Sequence, residues 1–448
     1  MSSIYPDSML ALKSELELYG VPKTQIAFED SRYEEVYPIT SLDRGTPLEF
    51  RVTSDTNEYI DLSQCFLYTK CKIVKRAGSA ALVEPNAPDA AVPDPSVVYP
   101  INYFHATQFK NVEVYLNGTP VSSDDNMYAY RAIIELLSSY SKNTLERQFA
   151  CGMYHSDNND LNEHGNEVTN PNDRDVNKGA RKRFSKTKYS KSFEMFGRIH
   201  ADIFSQNKHL MNGVELRIRL NRQDPKFCLM SKVAAENYAV VIEKAILYVK
   251  QDKVLPSIRE AHVKELEKRH AKYYIRKVQM KYFTRSPNIN DLSETELCKG
   301  TLPRRIILGL VDSEGFNGHQ HRNPLNFEDF NIRSLQLKIN GQAKPMEKLE
   351  FDFRGDNYLM GYLSMHQANG MLFQNEGLSV SPEEYKNGHT LFGFDLNPNS
   401  GDDMSLVTDG KIGVEIKLAE NHSRSITIVV YLEYDDVIEI DNFKNVVK

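Results

Sequence analysis

Few side chains in this 448-residue chain are spaced for chemistry. His319-Gln320-His321 sets two imidazoles on one side of an extended segment, the beginning of a two-histidine, one-carboxylate metal site. The next acid, Glu328, lies seven residues on, the glycines before the pair do not suit such a site, and His389 is the downstream histidine in a strand-like context. A polar loop between Gly318 and Pro324 is the expectation. Asp157-Asn158-Asn159-Asp160-Leu161-Asn162-Glu163 has the oxygen ligands of a calcium loop, which needs them at alternating positions with a central Gly and a terminal Glu. Counted from Asp160, position five is His164 and position twelve is Pro171, so the pattern fails. Residues 178–191 are basic through Lys178, Arg181, Lys182, Arg183, Lys186, Lys188 and Lys191, with Phe184 and Tyr189 available to stack on bases. The same alternation describes an exposed strand with lysines outward, which is the preferred reading. The chain has no Gly-rich phosphate loop, no Cys-x-x-Cys and no nucleophile elbow. No catalytic, metal or cofactor residue is assigned.

The elements around these residues are written twice. Val112-Glu113-Val114-Tyr115-Leu116-Asn117-Gly118 recurs in outline as Leu335-Gln336-Leu337-Lys338-Ile339-Asn340-Gly341, about half a chain later. Gly213-Val214-Glu215-Leu216-Arg217-Ile218 recurs as Gly413-Val414-Glu415-Ile416-Lys417-Leu418. Ala245-Ile246-Leu247-Tyr248-Val249 pairs in the same order with Val429-Val430-Tyr431-Leu432-Glu433. Three collinear pairs point to two copies of one β domain, with more loop inserted in the first. Asn117, Gly118, Asn340 and Gly341 are structural turn residues, because Asn tolerates and Gly freely accepts the positive φ that a two-residue hairpin requires.

Along the chain, residues 7–19 suggest a short helix capped by Asp7, and Pro22 ends it. Residues 23–40 suggest an extended arm. The first β domain starts near Thr40, with Cys65, Leu67, Thr69, Cys71 and Ile73 on one face of a long strand. Residues 77–100 are an Ala/Pro-rich surface loop, and 151–180 a long polar excursion. Met127–Ser139 suggests a helix capped by Asp124 or Asp125, with Ile133, Leu136 and Leu137 buried. Strands follow at Phe193–Phe204, Val214–Leu220 and Tyr238–Lys250. Residues 254–272 break the β pattern with a Ser257/Glu260 capping box and form a helical connector. The second copy begins near Tyr273 and continues through Ile306–Val311, Leu335–Ile339, Leu391–Leu396, Val414–Leu418 and Ile426–Tyr434. Many short strands at irregular loop spacing indicate sandwiches rather than parallel sheets.

Composition narrows the class. An apolar fraction of 40% with 26% charged residues fits a globular protein of two or three domains. No run of about 18 apolar residues exists, so no membrane span is expected. Met1 to Asp7 lacks the pattern of a signal peptide. Five sparse cysteines predict reduced thiols rather than a disulfide framework. A net charge of −6 argues against a surface that grips nucleic acid strongly.

Gly197-Arg198-Ile199-His200-Ala201-Asp202-Ile203-Phe204, followed by Leu210-Met211-Asn212-Gly213-Val214-Glu215-Leu216-Arg217-Ile218-Arg219-Leu220, resembles the hexon-type major capsid proteins of adintoviruses, grouped with the Polinton (Maverick) viruses and transposons. Similar segments are Ser14-Glu15-Leu16-Glu17-Leu18, Tyr59-Ile60-Asp61-Leu62, Ala271-Lys272-Tyr273-Tyr274-Ile275-Arg276 and Gly309-Leu310-Val311-Asp312 with Phe316-Asn317-Gly318. Asn323-Pro324-Leu325-Asn326-Phe327, Thr390-Leu391-Phe392-Gly393-Phe394-Asp395-Leu396 and Val437-Ile438-Glu439-Ile440-Asp441 extend the likeness over almost the whole chain.

The resemblance implies an all-β double jelly-roll: two tandem eight-stranded antiparallel β-sandwiches with short helices and an N-terminal arm. The division expected is a helix and arm over 1–39, a first jelly-roll over 40–253, a connector over 254–272 and a second jelly-roll with a tail over 273–448. The implied function is a non-enzymatic major capsid protein without a cofactor. It forms homotrimers, meets neighbouring capsomers and a penton or minor capsid protein, and encloses double-stranded DNA in a virion capsid. It is made in the host cytoplasm or assembled in the nucleus. The loops at 77–100 and 151–190 are expected to crown the capsomer. The competing reading is a metal- or sugar-binding β-sandwich of bicupin type, for which His319 and His321 are the candidate ligands.

Overall fold

Alternation of apolar and polar side chains gives each strand one dry face and one wetter face. The computed structural model describes residues 7, 14–16, 18–53, 57–76, 97–123, 125–158, 160–162, 177–231, 238–345, 347–374, 377–397 and 403–447. The strands of the first half are β1 (Phe28–Val36), β2 (Leu48–Val52), β3 (Glu58–Lys75), β4 (Val98–Pro100), β5 (Phe109–Leu116), β6 (Thr119–Pro120), β7 (Phe193–Arg198), β8 (Leu216–Arg222), β9 (Leu229–Ser231) and β10 (Tyr238–Val254). Those of the second are β11 (Ala271–Arg285), β12 (Glu294–Thr301), β13 (Arg305–Asp312), β14 (Ile332–Ile339), β15 (Gln342–Ala343), β16 (Leu349–Glu350), β17 (Leu391–Asp395), β18 (Asp409–Leu418), β19 (Ile426–Ile440) and β20 (Val446–Val447).

The first half stacks a sheet of order β1-β10-β3-β7 against one of order β2-β8-β5-β6, and β4 pairs with β9 apart from both. The second half stacks β11-β19-β13-β17 against β12-β18-β14-β15, with β20 and β16 appended. Counted within each half, the eight main strands run 1-8-3-6 in one sheet and 2-7-4-5 in the other, twice over. This is the jelly-roll winding, and the chain is a double jelly-roll.

Strand β1 changes the reading of the arm. Residues 28–36 are extended, but Phe28–Val36 pairs antiparallel along β10 and supplies the first strand of the first sandwich. The sequence hid it because nearly every β1 side chain is exposed, so no apolar alternation marks a buried face. The helix expected over 7–19 falls largely outside the described residues, which hold only a 3-10 turn at Ser14–Leu16. The Ala/Pro-rich loop lies outside them over 77–96.

The helices, in chain order, are α1 (Phe104–Thr107), α2 (Tyr128–Ser139), α3 (Lys142–Arg147), α4 (Lys178–Thr187), α5 (Pro225–Cys228), α6 (Pro256–Leu266), α7 (Ser313–Phe316), α8 (Leu359–Ala368) and α9 (Pro382–Lys386). Helix α2 forms where expected and buries Ile133, Leu136 and Leu137. Helix α6 joins the sandwiches, but Pro256 opens it after Leu255 and the expected Ser257/Glu260 box makes no cap. Most of the basic run is helix α4, followed by a 3-10 turn at Lys188–Ser190, and not an exposed strand. Asn177 caps it by accepting from the Ala180 N–H at 3.1 Å. Its buried positions are Gly179, Ala180, Arg183 and Thr187, and the last three recur at three and four residues, a helical period that the lysine alternation masked. The strand expected over Phe193–Phe204 ends at Arg198, and Asp202–Ser205 is a 3-10 turn.

The third repeat pair needs a shift of one residue. Leu247 lies in the core of the first sandwich, whereas Tyr431 points out of the second one, toward the first half. Tyr431 instead matches the outward-facing Tyr248, each opposite a residue of the third strand, Ile307 and Phe66 respectively. A slip of one residue exchanges the faces of a strand.

Candidate assembly surfaces

The seam between the two sandwiches shows how one lobe receives another. Strand β19 is buried on both sides. Ile428, Val430 and Leu432 fill the second sandwich, while Val429 and Tyr431 join the core of the first half. Tyr130 of α2 is 2% exposed, donates to the Pro324 carbonyl at 2.9 Å and stacks on Phe316 with ring centroids 5.5 Å apart.

Beside it, β11 is an edge strand whose free backbone groups need partners. The first half supplies them from two segments. Asp202 Oδ1 accepts the Val278 N–H at 3.1 Å, Asp125 Oδ2 accepts the Met280 N–H at 3.0 Å, and Ser123 Oγ donates to the Val278 carbonyl at 2.8 Å. Asp125, an expected helix cap, thus serves the other lobe with one oxygen and accepts the Met127 N–H with the other.

A buried ionic chain holds these acids. Arg131 Nη2 lies 2.6 Å from Asp202 Oδ1 and its Nε 2.8 Å from Glu135 Oε1. Glu135 Oε2 meets His200 Nδ1 at 2.7 Å, and His200 Nε2 meets the Tyr103 hydroxyl at 2.9 Å. Burial works to raise the Glu135 carboxyl, but Arg131 and His200 overcome it and hold the group at about 2. Burial lowers His200 against the pull of Glu135. Burial raises Asp202 above its ordinary value despite Arg131 and the Val278 N–H. A lone Arg or Asp on an apolar element carries no spacing signal, so the sequence by itself does not mark Arg131 or Asp202.

Among the described residues, the corresponding outer face of the first sandwich stays partly exposed. Tyr33, Phe66, Tyr68, Phe196 and Tyr248 form one aromatic patch, with neighbouring centroids 5.2–5.5 Å apart. Tyr33 is 49% and Phe196 36% exposed.

The turn residues have matching geometry in both halves. Asn117 and Gly118 have φ of 44° and 79°, Asn340 and Gly341 of 52° and 82°. Asn117 Oδ1 accepts the Glu215 N–H at 2.7 Å, and Asn340 Oδ1 accepts the Lys411 N–H at 2.8 Å. Asn117 Nδ2 also donates to the Lys444 carbonyl at 2.6 Å, tying the first turn to the C-terminal tail.

The metal candidates do not come together. His319 and His321 meet edge to face at 5.4 Å, but Glu328 is spent on Arg424 at 2.6 Å. Asp157 pairs with the buried Arg183 at 2.8 Å, and the rest of the calcium-like stretch falls partly outside the described residues. That pair withdraws Arg183 from the basic surface. Among the described residues Asp61, His209 and Asp252 do group at ligand spacing. The Lys250 ammonium already sits among them, 3.3 Å from Asp61 and 3.9 Å from Asp252. Among the described residues, no helix is long and apolar enough to cross a membrane.

No family model matches the chain. The Caenorhabditis elegans uncharacterized protein F54H12.2 is 22% identical over 434 residues, which cover 95% of this chain and 98% of that protein. Among solved structures, a chain of the Sputnik virophage is similar with a TM-score of 0.63 and 13% identity, over 100% of this chain and 94% of that one. The Faustovirus major capsid protein follows at 0.57 and 10%, covering 96% and 93%. The mavirus major capsid protein gives 0.55 and 9%, covering 100% and 96%. At these identities the likeness establishes the fold, the double jelly-roll already traced strand by strand.

Proposed function

We propose that this chain is the major capsid subunit of a double-stranded DNA virus of the adintovirus and Polinton type, or of an integrated copy of one. Three chains join as a pseudo-hexameric capsomer, and capsomers tile an icosahedral shell. The observation that carries this reading is the repeated winding. Two jelly-rolls of the same strand order are sealed together in one chain, and their likeness to the Faustovirus and mavirus major capsid proteins runs over nearly the full length. Two similar lobes in each of three chains approximate six-fold symmetry, and such cyclic contacts are heterologous.

The lobes divide at 40–253 and 273–448 about the connector 254–272, with residues 1–39 adding β1 to the first lobe. The work is structural rather than enzymatic, in the virion shell, with a penton or minor capsid protein as further partner. The net charge of −6 leaves genome compaction to a separate basic protein.

Light scattering coupled to size exclusion tests this. The expected species is near three times the 51.3 kDa chain, or particles built from it. A monomer over a wide concentration range counts against the proposal.

A further inference from the structure

We propose that the aromatic patch on the first sandwich, with the edge strand β1 beside it, receives the second sandwich of another copy of this chain. The copy presents the segments that precede and follow β17. This rests on the self-assembly reading and names the surfaces it uses.

The chain itself supplies the template. Within it, the receiving surface is the outer face of the second sandwich's 1-8-3-6 sheet, with Tyr431 on the eighth strand and Ile307 on the third. Beside them runs the edge strand β11. The delivering segments are those before and after the sixth strand of the first sandwich, which carry Asp125 with Tyr130 and Asp202 respectively. Each half has both surfaces, so a single chain uses one receiver and one deliverer and leaves one of each.

The two left over both carry exposed apolar side chains. The spare receiver holds Tyr248 on the eighth strand, Phe66 on the third and Phe196 on the sixth, beside the exposed edge strand β1. The spare deliverer carries Leu359, Met360 and Phe373 before β17, exposed by 53%, 54% and 90%. After β17 it carries Met404, Leu406 and Val407, exposed by 51%, 87% and 76%. Exposed apolar side chains on segments that flank one strand are candidates for an interaction site, and aromatic side chains are the usual anchors of such sites. Receiver and deliverer are different surfaces, so the join is head to tail and closes as a ring.

The test places the photo-cross-linker p-benzoylphenylalanine at Phe196 and maps the captured peptide in protein whose assembly state is measured on the same sample. The expected product has twice the chain mass, with the link inside 355–374 or 403–408. Phe196→Glu, Phe373→Glu and Leu406→Glu, all at exposed sites, are expected to shift the trimer to monomer at unchanged circular dichroism. Val263→Glu on α6, also exposed, is expected to leave the trimer intact. A trimer that cross-links elsewhere and survives the three substitutions overturns this contact but leaves the assembly reading standing. A wild-type monomer overturns both.

Discussion

The Arg131 guanidinium lies 2.6 Å from the Asp202 carboxylate, and both are sealed where the two sandwiches meet. The same carboxylate oxygen accepts the backbone N–H of Val278 on the edge of the second sandwich. This buried ion pair is thus one of the contacts that set how the lobes sit together, beside those of Asp125, Ser123 and Tyr130. Replacing such a pair by well-packed apolar groups is often neutral, whereas removing one partner alone is costly.

Arg131→Met is expected to destabilise the protein by about 3–5 kcal/mol, because it leaves Asp202 and Glu135 buried without their cation. Replacing Asp202 by Asn in the same chain should recover part of that loss. Denaturant unfolding of the two single variants and the double variant measures it. Additive losses would refute the coupling.

Acid should weaken the fold below neutrality. Burial lowers His105 from its ordinary 6.5 to about 4, and the ring is 1% exposed. Between those values the unfolded chain binds a proton that the folded chain refuses. Stability is therefore full above pH 6.5 and falls toward pH 4, by roughly 3 kcal/mol for this group alone. Glu135, held at about 2, adds stability above its ordinary 4.5 that is lost as pH falls toward 2. Asp202 is raised and works in the opposite sense, gaining relative to the unfolded chain as pH falls. With His200 lowered as well, the expected sum is a falling denaturant midpoint from pH 7 to pH 4, and a flat profile would contradict it.

The repeated turns should respond alike. A Cβ on Gly118 or Gly341 would meet nothing within 4 Å, so the cost of a side chain there is backbone strain at positive φ. Gly118→Val and Gly341→Val are each expected to cost about 1–2 kcal/mol. Thermal unfolding of both variants checks this, and a several-fold difference would refute the equivalence of the two turns.

Thiol labelling should separate one cysteine from four. Cys151 is exposed, while Cys65, Cys71, Cys228 and Cys298 are buried free thiols. Burial pushes Cys65 and Cys71 up to about 12, far from the reactive thiolate. Ellman's reagent is expected to titrate one thiol in the native protein and all five in denaturant. Rapid native labelling of more than one would show that the lobes open.

The sequence alone determined the duplication, the strand faces and the turns. Cys65, Leu67, Thr69, Cys71 and Ile73 alternate inward, and each Asn-Gly pair has the residues that a positive-φ hairpin demands. These signals are local, because a strand's period and a turn's φ are set within a few residues. Tertiary structure decided what covers the outer faces. Tyr431 lies buried under the first half while Tyr248 remains partly open, although both face outward on the eighth strand of their sandwich. Tertiary structure also made β1 a strand, through its pairing with β10. In each case the partner lies far away in sequence, and alternation records that a side chain points outward without recording what meets it there.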